Sequence, residues 1–294
     1  MSVCNLGSIN IDNFYAVPHI PGPGETLAAT GFSRGLGGKG ANMSVAVARG
    51  AARAIHIGAV GRDGGWCVDR LMEYGVDTRH IATLPDTPTG HANISVASDG
   101  ENQIVIHQGT NALITDDMIG AALSEASPGD ILVMQNETCG QVTAARMATD
   151  LGLRVVYAAA PFDAKTVSDI REFAKILVLN ALEAQQLRTA LGLGLTDLGI
   201  DHVIVTMGGE GSLWLDVAAR SELRVPAVSV TPVDTTGAGD TFTGFLLAGL
   251  DRGMPMEQAL TLATRAGAIM VTRHGTADVI PDLKDIEDRF GPLA

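Results

Sequence analysis

Cysteine is scarce in this 294-residue sequence, with Cys4, Cys67 and Cys139 the only three. They are odd in number, widely spaced and never in a C-x-x-C pair, so they offer neither a disulfide framework nor a zinc or redox motif. They read as reduced residues in or near the core. Positive charge is short as well: 20 Lys and Arg face 33 Asp and Glu, for a formal net charge of −13. Such a chain repels polyanions, which argues against a nucleic-acid or anionic-membrane partner. Any phosphate must then be held locally, by backbone amides, a helix N-terminus or a metal ion. No apolar run approaches the ~20 residues of a membrane span, and no basic, apolar signal segment opens the chain. The expected location is cytoplasmic. Internal repeats and low-complexity linkers are lacking too.

What is present is an apolar fraction of 46%, enough for one large core in an undivided α/β domain spanning residues 1–294. Short β-branched runs recur at Ala54 to Val60, Ile131 to Gln135, Arg154 to Ala158, Lys175 to Asn180 and His202 to Met207. Helical spacing shows between them, as in Val68, Leu71 and Met72 or in Met118, Ile119, Ala122 and Leu123. The alternation predicts a three-layer α/β fold, a mostly parallel central sheet with helices on both faces. Two segments depart from it. Ala92 to Val96 and Gln103 to His107 flank the turn signal Asp99-Gly100 and predict a hairpin. Phe14 to Gly37 is punctuated by Pro18, Pro21, Gly22, Pro23 and Gly24 and has no helical period. Together these segments, 13–37 and 90–109, predict a small β-sheet projecting from the main body.

Ligands of open α/β sheets bind outside the carboxyl ends of the strands. Polar residues stand there repeatedly: Asn10 and Asp12 after the run Val3 to Ile9, Glu137 after Ile131 to Gln135, and Asn180 and Glu183 after Lys175 to Leu179. Thr206 and Gly208 end the run His202 to Met207. Any one of them alone reads equally well as a solvated loop residue or a helix cap. The segment Gly35 to Gly40 matches G-x-G-x-x-G and leads into a helical pattern at Ala41 to Arg49. It does not follow a buried first strand, as a dinucleotide fingerprint does. It also fails as a Walker A loop, because Ser33 replaces the first glycine and Gly40 follows the lysine. The plain reading is a glycine-rich entry turn for a helix. The functional one is a turn that a polyhydroxylated ligand can approach closely, with Lys39 and Asn42 hydrogen-bonding it.

The segment Asp234-Thr235-Thr236-Gly237-Ala238-Gly239-Asp240-Thr241-Phe242 precedes an apolar helix through Phe245, Leu246 and Leu250. Small residues at a helix mouth expose free N–H groups with the positive dipole end behind them, an anion hole suited to a phosphoryl group. Asp234 or Asp240 singly could be a cap. Capping leaves unexplained why Gly237, Ala238 and Gly239 keep side chains out of the way beside the carboxylate.

Gly37-Gly38-Lys39-Gly40-Ala41-Asn42 and Asp234 to Phe242 resemble the two signatures of the PfkB/ribokinase family of carbohydrate kinases, and the resemblance covers essentially the whole chain. Gly7 to Asp12 and Pro21 to Thr26 resemble ribokinases more than the family at large. The resemblance implies a ribokinase-like fold with a β-sheet lid, and ATP-dependent phosphorylation of a sugar primary hydroxyl, D-ribose first. It implies that Asn10, Asp12, Gly38, Lys39, Asn42 and Glu137 bind the sugar, that Asp240 is the catalytic base, and that Gly237, Ala238 and Gly239 form the anion hole. Asn180 and Glu183 match an N-x-x-E motif tied to Mg²⁺ and phosphate placement. Thr206, Gly208 and Gly211 match the nucleotide-side T-x-G-x-x-G. Thr264 stands where an Asn or His near the adenine is usual, and Met43 where Gln is usual.

By the same resemblance a K⁺ ion binds carbonyls around Asp234 and Thr236 and in Met270 to Val279, here from Met270, Arg273 and Gly275. Val279 replaces a frequent serine hydroxyl, so weak K⁺ binding is expected. A homodimer through the lid is implied as well. Kinases for a nucleoside, fructose or ketodeoxy sugar would use the same chemistry. An NAD-dependent oxidoreductase rests on G-x-G-x-x-G alone. A non-catalytic sugar sensor would be expected to have lost the base or the anion hole, and both are present.

Overall fold

Val3–Leu6, Ala54–Val60 and Ile131–Met134 are buried at every position, as strands covered on both faces must be. The structure, a computed structural model, describes residues 1–292. Its strands are β1 (Val3–Leu6), β2 (Asn10–Val17), β3 (Gly31–Gly37), β4 (Ala54–Val60), β5 (Asp77–Thr83), β6 (Gly90–Ala97), β7 (Asn102–His107), β8 (Ile131–Met134), β9 (Arg154–Ala158), β10 (Ala174–Asn180), β11 (His202–Thr206), β12 (Ser212–Asp216) and β13 (Ser221–Val225). The helices are α1 (Lys39–Arg49), α2 (Gly65–Glu73), α3 (Asp116–Leu123), α4 (Gln141–Asp150), α5 (Ala164–Ile170), α6 (Ala181–Leu191), α7 (Ala238–Asp251), α8 (Met256–Met270) and α9 (Leu283–Phe290).

Nine strands form one sheet in the order β13-β12-β11-β10-β9-β8-β1-β4-β5. It is parallel from β11 to β5, with β12 and β13 antiparallel at one edge. Residues of α1, α2, α7, α8 and α9 cover one face and residues of α3, α4, α5 and α6 the other, the expected three layers. A second sheet, β3-β2-β6-β7, stands apart from the first. The hairpin expected at Ala92 to Val96 and Gln103 to His107 is β6 and β7.

The run Val3 to Ile9 is not one strand. The chain leaves the large sheet after Leu6 and enters the small one at Asn10, so Asn10 and Asp12 lie within β2 rather than in a loop after a strand. An apolar run is buried in either sheet, and period alone cannot mark the passage. A packing feature does: a Cβ on Gly7 would overlap Gly40, so the backbone turns there in direct contact with α1.

Helices α1, α7 and α8 pack through small residues. A Cβ on Gly244 would overlap Ala46, one on Gly50 would lie 2.5 Å from Ala248, and one on Gly249 would lie 2.9 Å from Ala259. This close approach brings the start of α1 against the start of α7, and the site is built there.

Candidate active site

Helix α1 begins after Gly38, whose φ of +94° is the left-handed kind that glycine tolerates. No side chain of its own caps it. Glu137, from the loop after β8, does so from outside: its Oε2 accepts from Lys39 N–H at 3.0 Å and from Ser8 Oγ at 2.5 Å. Ser8 Oγ in turn accepts from Gly40 N–H at 3.2 Å. A carboxylate at this helix end is favoured by the dipole. Asp12 is buried on β2, and a Cβ on Gly37 would overlap its carboxylate, so only glycine makes room for it. Burial, with the Glu137 charge second, pushes the Asp12 carboxyl up to about 7. Asn10, Glu137, Asn111, Asn136, Gln108, Ile106 and Pro161 line a small cleft between the two sheets.

Helix α7 starts at Ala238, preceded by Gly237 with φ +71°. Ala238 N–H donates to Thr235 O and Thr241 N–H to Gly237 O, while the N–H groups of Gly239 and Asp240 have no partner among the described residues. Asp240 does not cap its helix. Its buried carboxylate turns to α1 instead: Oδ2 accepts from Asn42 Nδ2 at 2.9 Å, and Oδ1 lies 4.0 Å from Lys39 Nζ. Asp240 is the main reason that the Lys39 ammonium titrates above its ordinary value. Asp234 takes the plain role, Oδ1 accepting from Thr236 N–H at 2.9 Å and Oδ2 from Gly275 N–H at 3.3 Å. Burial works to raise its carboxyl, but those hydrogen bonds outweigh it and hold the group below the usual range.

Asn180 and Glu183 form a capping box on α6, each side chain accepting the other's backbone N–H, at 2.8 and 2.7 Å. Asn180 pairs in register with Thr206 on β11. Burial raises the Glu183 carboxyl, and the charges of Lys39 and Asp240 also reach it, so Glu183 stands within electrostatic range of the α1–α7 junction. Gly208 and Gly211 have φ of +55° and +96°, and a Cβ on Gly211 would overlap Val225 O. Thr264 Oγ1, on α8, is buried with no partner among the described residues. Met43, under α1, points into the core with Sδ 3.1 Å from Gln135 Nε2, and does not line the cleft.

The two segments expected to hold K⁺ lie side by side: Val233 and Asp234 N–H donate to Val271 O, at 2.7 and 3.2 Å. Met270 O accepts from Arg273 N–H. The Arg273 guanidinium is occupied by Val279 O and the Asp285 carboxylate. A Cβ on Gly275 would lie 3.5 Å from a methyl of Val279, which fills the inside of the turn. Asp278 is drawn away to α2, bonded by Arg70 at 3.0 Å and by the Tyr74 hydroxyl. Among the described residues no group of three or more His, Cys, Asp or Glu converges on a metal position.

The structure thus joins Lys39, Asn42 and Asp240 directly, and Glu137 to Lys39 and Ser8. Among the described residues, Thr264 and the Arg273 side chain make no hydrogen bond to that group. Sequence reasoning passed over Ser8, Gln108, Asn111 and Asn136. Inspecting polar residues after strand ends, applied to β7 as it was to the core strands, picks out Gln108 and Asn111.

A buried carboxylate beside open helix-end amides, at the strand ends of a parallel sheet and under a second small sheet, defines a phosphoryl-transfer enzyme with a small polar acceptor. The profile described as pfkB family carbohydrate kinase matches residues 1–283. The chain belongs to that family and is a carbohydrate kinase. The ribokinase of Haemophilus influenzae is 33% identical to it over 291 residues, covering 94% of each chain. The ribokinase structure from Thermotoga maritima superposes with TM-score 0.87 at 30% identity over 98% of both chains. The structure of Arabidopsis thaliana ribokinase complexed with ribose and ATP gives TM-score 0.85 at 25% identity, covering 98% of this chain and 97% of that one.

Proposed function

We propose that the chain transfers the γ-phosphoryl group of ATP to the primary hydroxyl of D-ribose, giving D-ribose 5-phosphate. The observation that carries the reading is the Asp240 carboxylate, buried between Asn42 and Lys39 and beside the unpartnered amides of Gly239 and Asp240. Asp240 takes the proton of the primary hydroxyl as its oxygen bonds to the γ-phosphorus. The bond from that phosphorus to the bridging oxygen breaks, and ADP leaves with the electron pair. The open amides of Gly239 and Asp240 face the charge developing on the equatorial oxygens, beside Gly237; the Ala238 amide, expected to join them, is instead spent on Thr235 O, and Ala238 contributes only a small side chain. Asn10, Asp12, Gly38, Lys39, Asn42 and Glu137 hold the sugar, so that the hydroxyl is aligned before transfer. Closure of the small sheet as a lid excludes water from the phosphoryl group.

Thr206, Gly208, Gly211 and Thr264 attend the nucleotide, with Asn180 on its phosphate side. The sparse carboxylates fit Mg²⁺, which keeps several waters and takes one or two carboxylates plus substrate phosphates. Glu183 would hold it through Oε1, the oxygen outside the capping box. When bound it neutralises phosphate charge. Carbonyls near Asp234, Thr236, Met270, Arg273 and Gly275 would hold K⁺ weakly, since the Val279 methyls replace an oxygen and Asp278 is engaged elsewhere. The exposed apolar residues Phe32, Ile104, Val105 and Ile106 on the lid favour a homodimer through it. Light scattering that finds a monomer at micromolar concentration would remove that part. The reduced cysteines and acidic surface fit a cytoplasmic location.

Measuring ADP release against pentoses, hexoses, 2-deoxyribose and nucleosides tests the acceptor. D-ribose should give the highest kcat/KM. A nucleoside outpacing every free sugar would overturn the ribose reading and keep the kinase.

A further inference from the structure

Asn111 lies in the 3-10 turn Gly109–Leu113 that follows β7, and it is 1% exposed. Its side chain reaches back to the passage between β1 and β2. The two ends of a carboxamide have nearly the same shape, so their identity is set by their partners. Here the partner is backbone and admits one answer. Ile9 N–H can only donate, so Asn111 Oδ1 faces it at 3.0 Å, and Asn111 Nδ2 then donates to Ile9 O at 3.2 Å and to Asn10 Oδ1 at 2.8 Å.

The consequence falls on Asn10. With its Oδ1 turned inward to Asn111, its NH₂ group is left without a partner among the described residues, and Asn10 lines the cleft. We propose that Asn111 is a positioning residue for the acceptor: anchored on Ile9, it fixes the Asn10 amide so that this wall of the cleft presents a donor. The inference rests on Asn10 belonging to the sugar site proposed above. Glu137, on the same cleft, is an acceptor. A sugar hydroxyl between them can accept from Asn10 and donate to Glu137, whereas a group that only donates meets the wrong end of Asn10.

The clamp is closely packed and tied at both ends. A Cβ on Gly90 would overlap Asn111 Nδ2 and lie 2.5 Å from Asn10 Oδ1. The neighbouring Thr110 is itself tied by its hydroxyl to Ala59 O on β4, at 2.8 Å. Two entries of the chain into the small sheet, at Ile9–Asn10 and at Gly90, and its exit at Gly109–Asn111 therefore meet at one carboxamide. Removing it frees Asn10 to rotate and to present either end.

A double-mutant cycle tests this with D-ribose and ATP. Asn111→Ala should raise the ribose KM roughly tenfold, the worth of one well-placed hydrogen bond, with kcat falling no more than about threefold and the ATP KM unmoved. In an Asn10→Ala background the same change should alter the ribose KM less than about twofold. Equal effects in both backgrounds would make Asn111 merely structural and overturn the proposal; Asn111→Ser serves if the alanine variant is unstable. A second measurement needs no turnover: in the sugar-free wild type, the Asn111 side-chain NH₂ should exchange slowly with water and that of Asn10 fast. The reverse order overturns the proposal even if the variants misfold. If no sugar is phosphorylated, the ribose reading fails while the exchange rates still decide the role of Asn111.

Discussion

Asn42 Nδ2 donates to Asp240 Oδ2 across 2.9 Å, although the two residues lie 198 positions apart. The bond fixes the carboxylate of α7 against the first turn of α1, with the Lys39 ammonium 4.0 Å from its other oxygen. It depends on how closely the two helices approach, and that is set one turn further along by Gly244 against Ala46 and the carbonyl of Met43.

Gly244→Ala should therefore cost both stability and turnover. The added methyl overlaps Ala46, and overpacking of this kind costs roughly 1–3 kcal/mol. Widening the gap between α1 and α7 also stretches the Asn42–Asp240 bond, so kcat should fall about tenfold for an added misalignment of under 1 Å. Thermal unfolding and steady-state kinetics check it. A variant as stable and as active as the parent would show that the helix contact is looser than its geometry.

Asp12 gives a pH-dependent stability. Its folded pKa, about 7, lies above the ordinary 3.8, so the folded chain binds the more protons between those values. The stabilising protonation is fully present below the unfolded pKa and is lost as pH rises through about 7. Asp12→Asn, which keeps the shape and drops the charge, should raise Tm by a few degrees at pH 8 and leave it nearly unchanged at pH 4. It should also weaken ribose binding. A Tm gain that is the same at both pH values would place the cause elsewhere.

The Val279 methyls beside Gly275 lead to a third expectation. Activity titrated with KCl at constant ionic strength should show weak activation in the wild type, and Val279→Ser should lower the half-saturating concentration by supplying an oxygen. Tight activation in the wild type, not improved by the serine, would mean that the loop already completes the ion's shell.

Much of the fold is legible in the sequence because β-branched runs alternate with helical spacing: Ala54–Val60 and Arg154–Ala158 read with the observed bounds. The passage from Leu6 to Asn10 is not legible, since an apolar run looks alike in either sheet. The signature around Lys39 shows itself because a Cβ on Gly37 or Gly40 would overlap Asp12 or Gly7, and the one around Asp240 because Gly237 takes a φ of +71° that favours glycine. Ser8 and Asn111 leave no local mark. They act through hydrogen bonds spanning 129 and 102 positions, and no short-range spacing encodes such a contact. The capping reading, open for both Asp234 and Asp240, divides between them: Asp234 bonds its own turn, whereas Asp240 turns to Asn42.

The most direct test is the turnover of Asp240→Asn with saturating D-ribose and ATP, alongside the ribose Kd by calorimetry. The amide keeps the shape of the carboxylate and cannot take the proton, so kcat should fall by roughly 10²–10⁴, the usual worth of a general base, with the Kd changed only a few-fold. A variant that retains near-wild-type kcat would contradict the account.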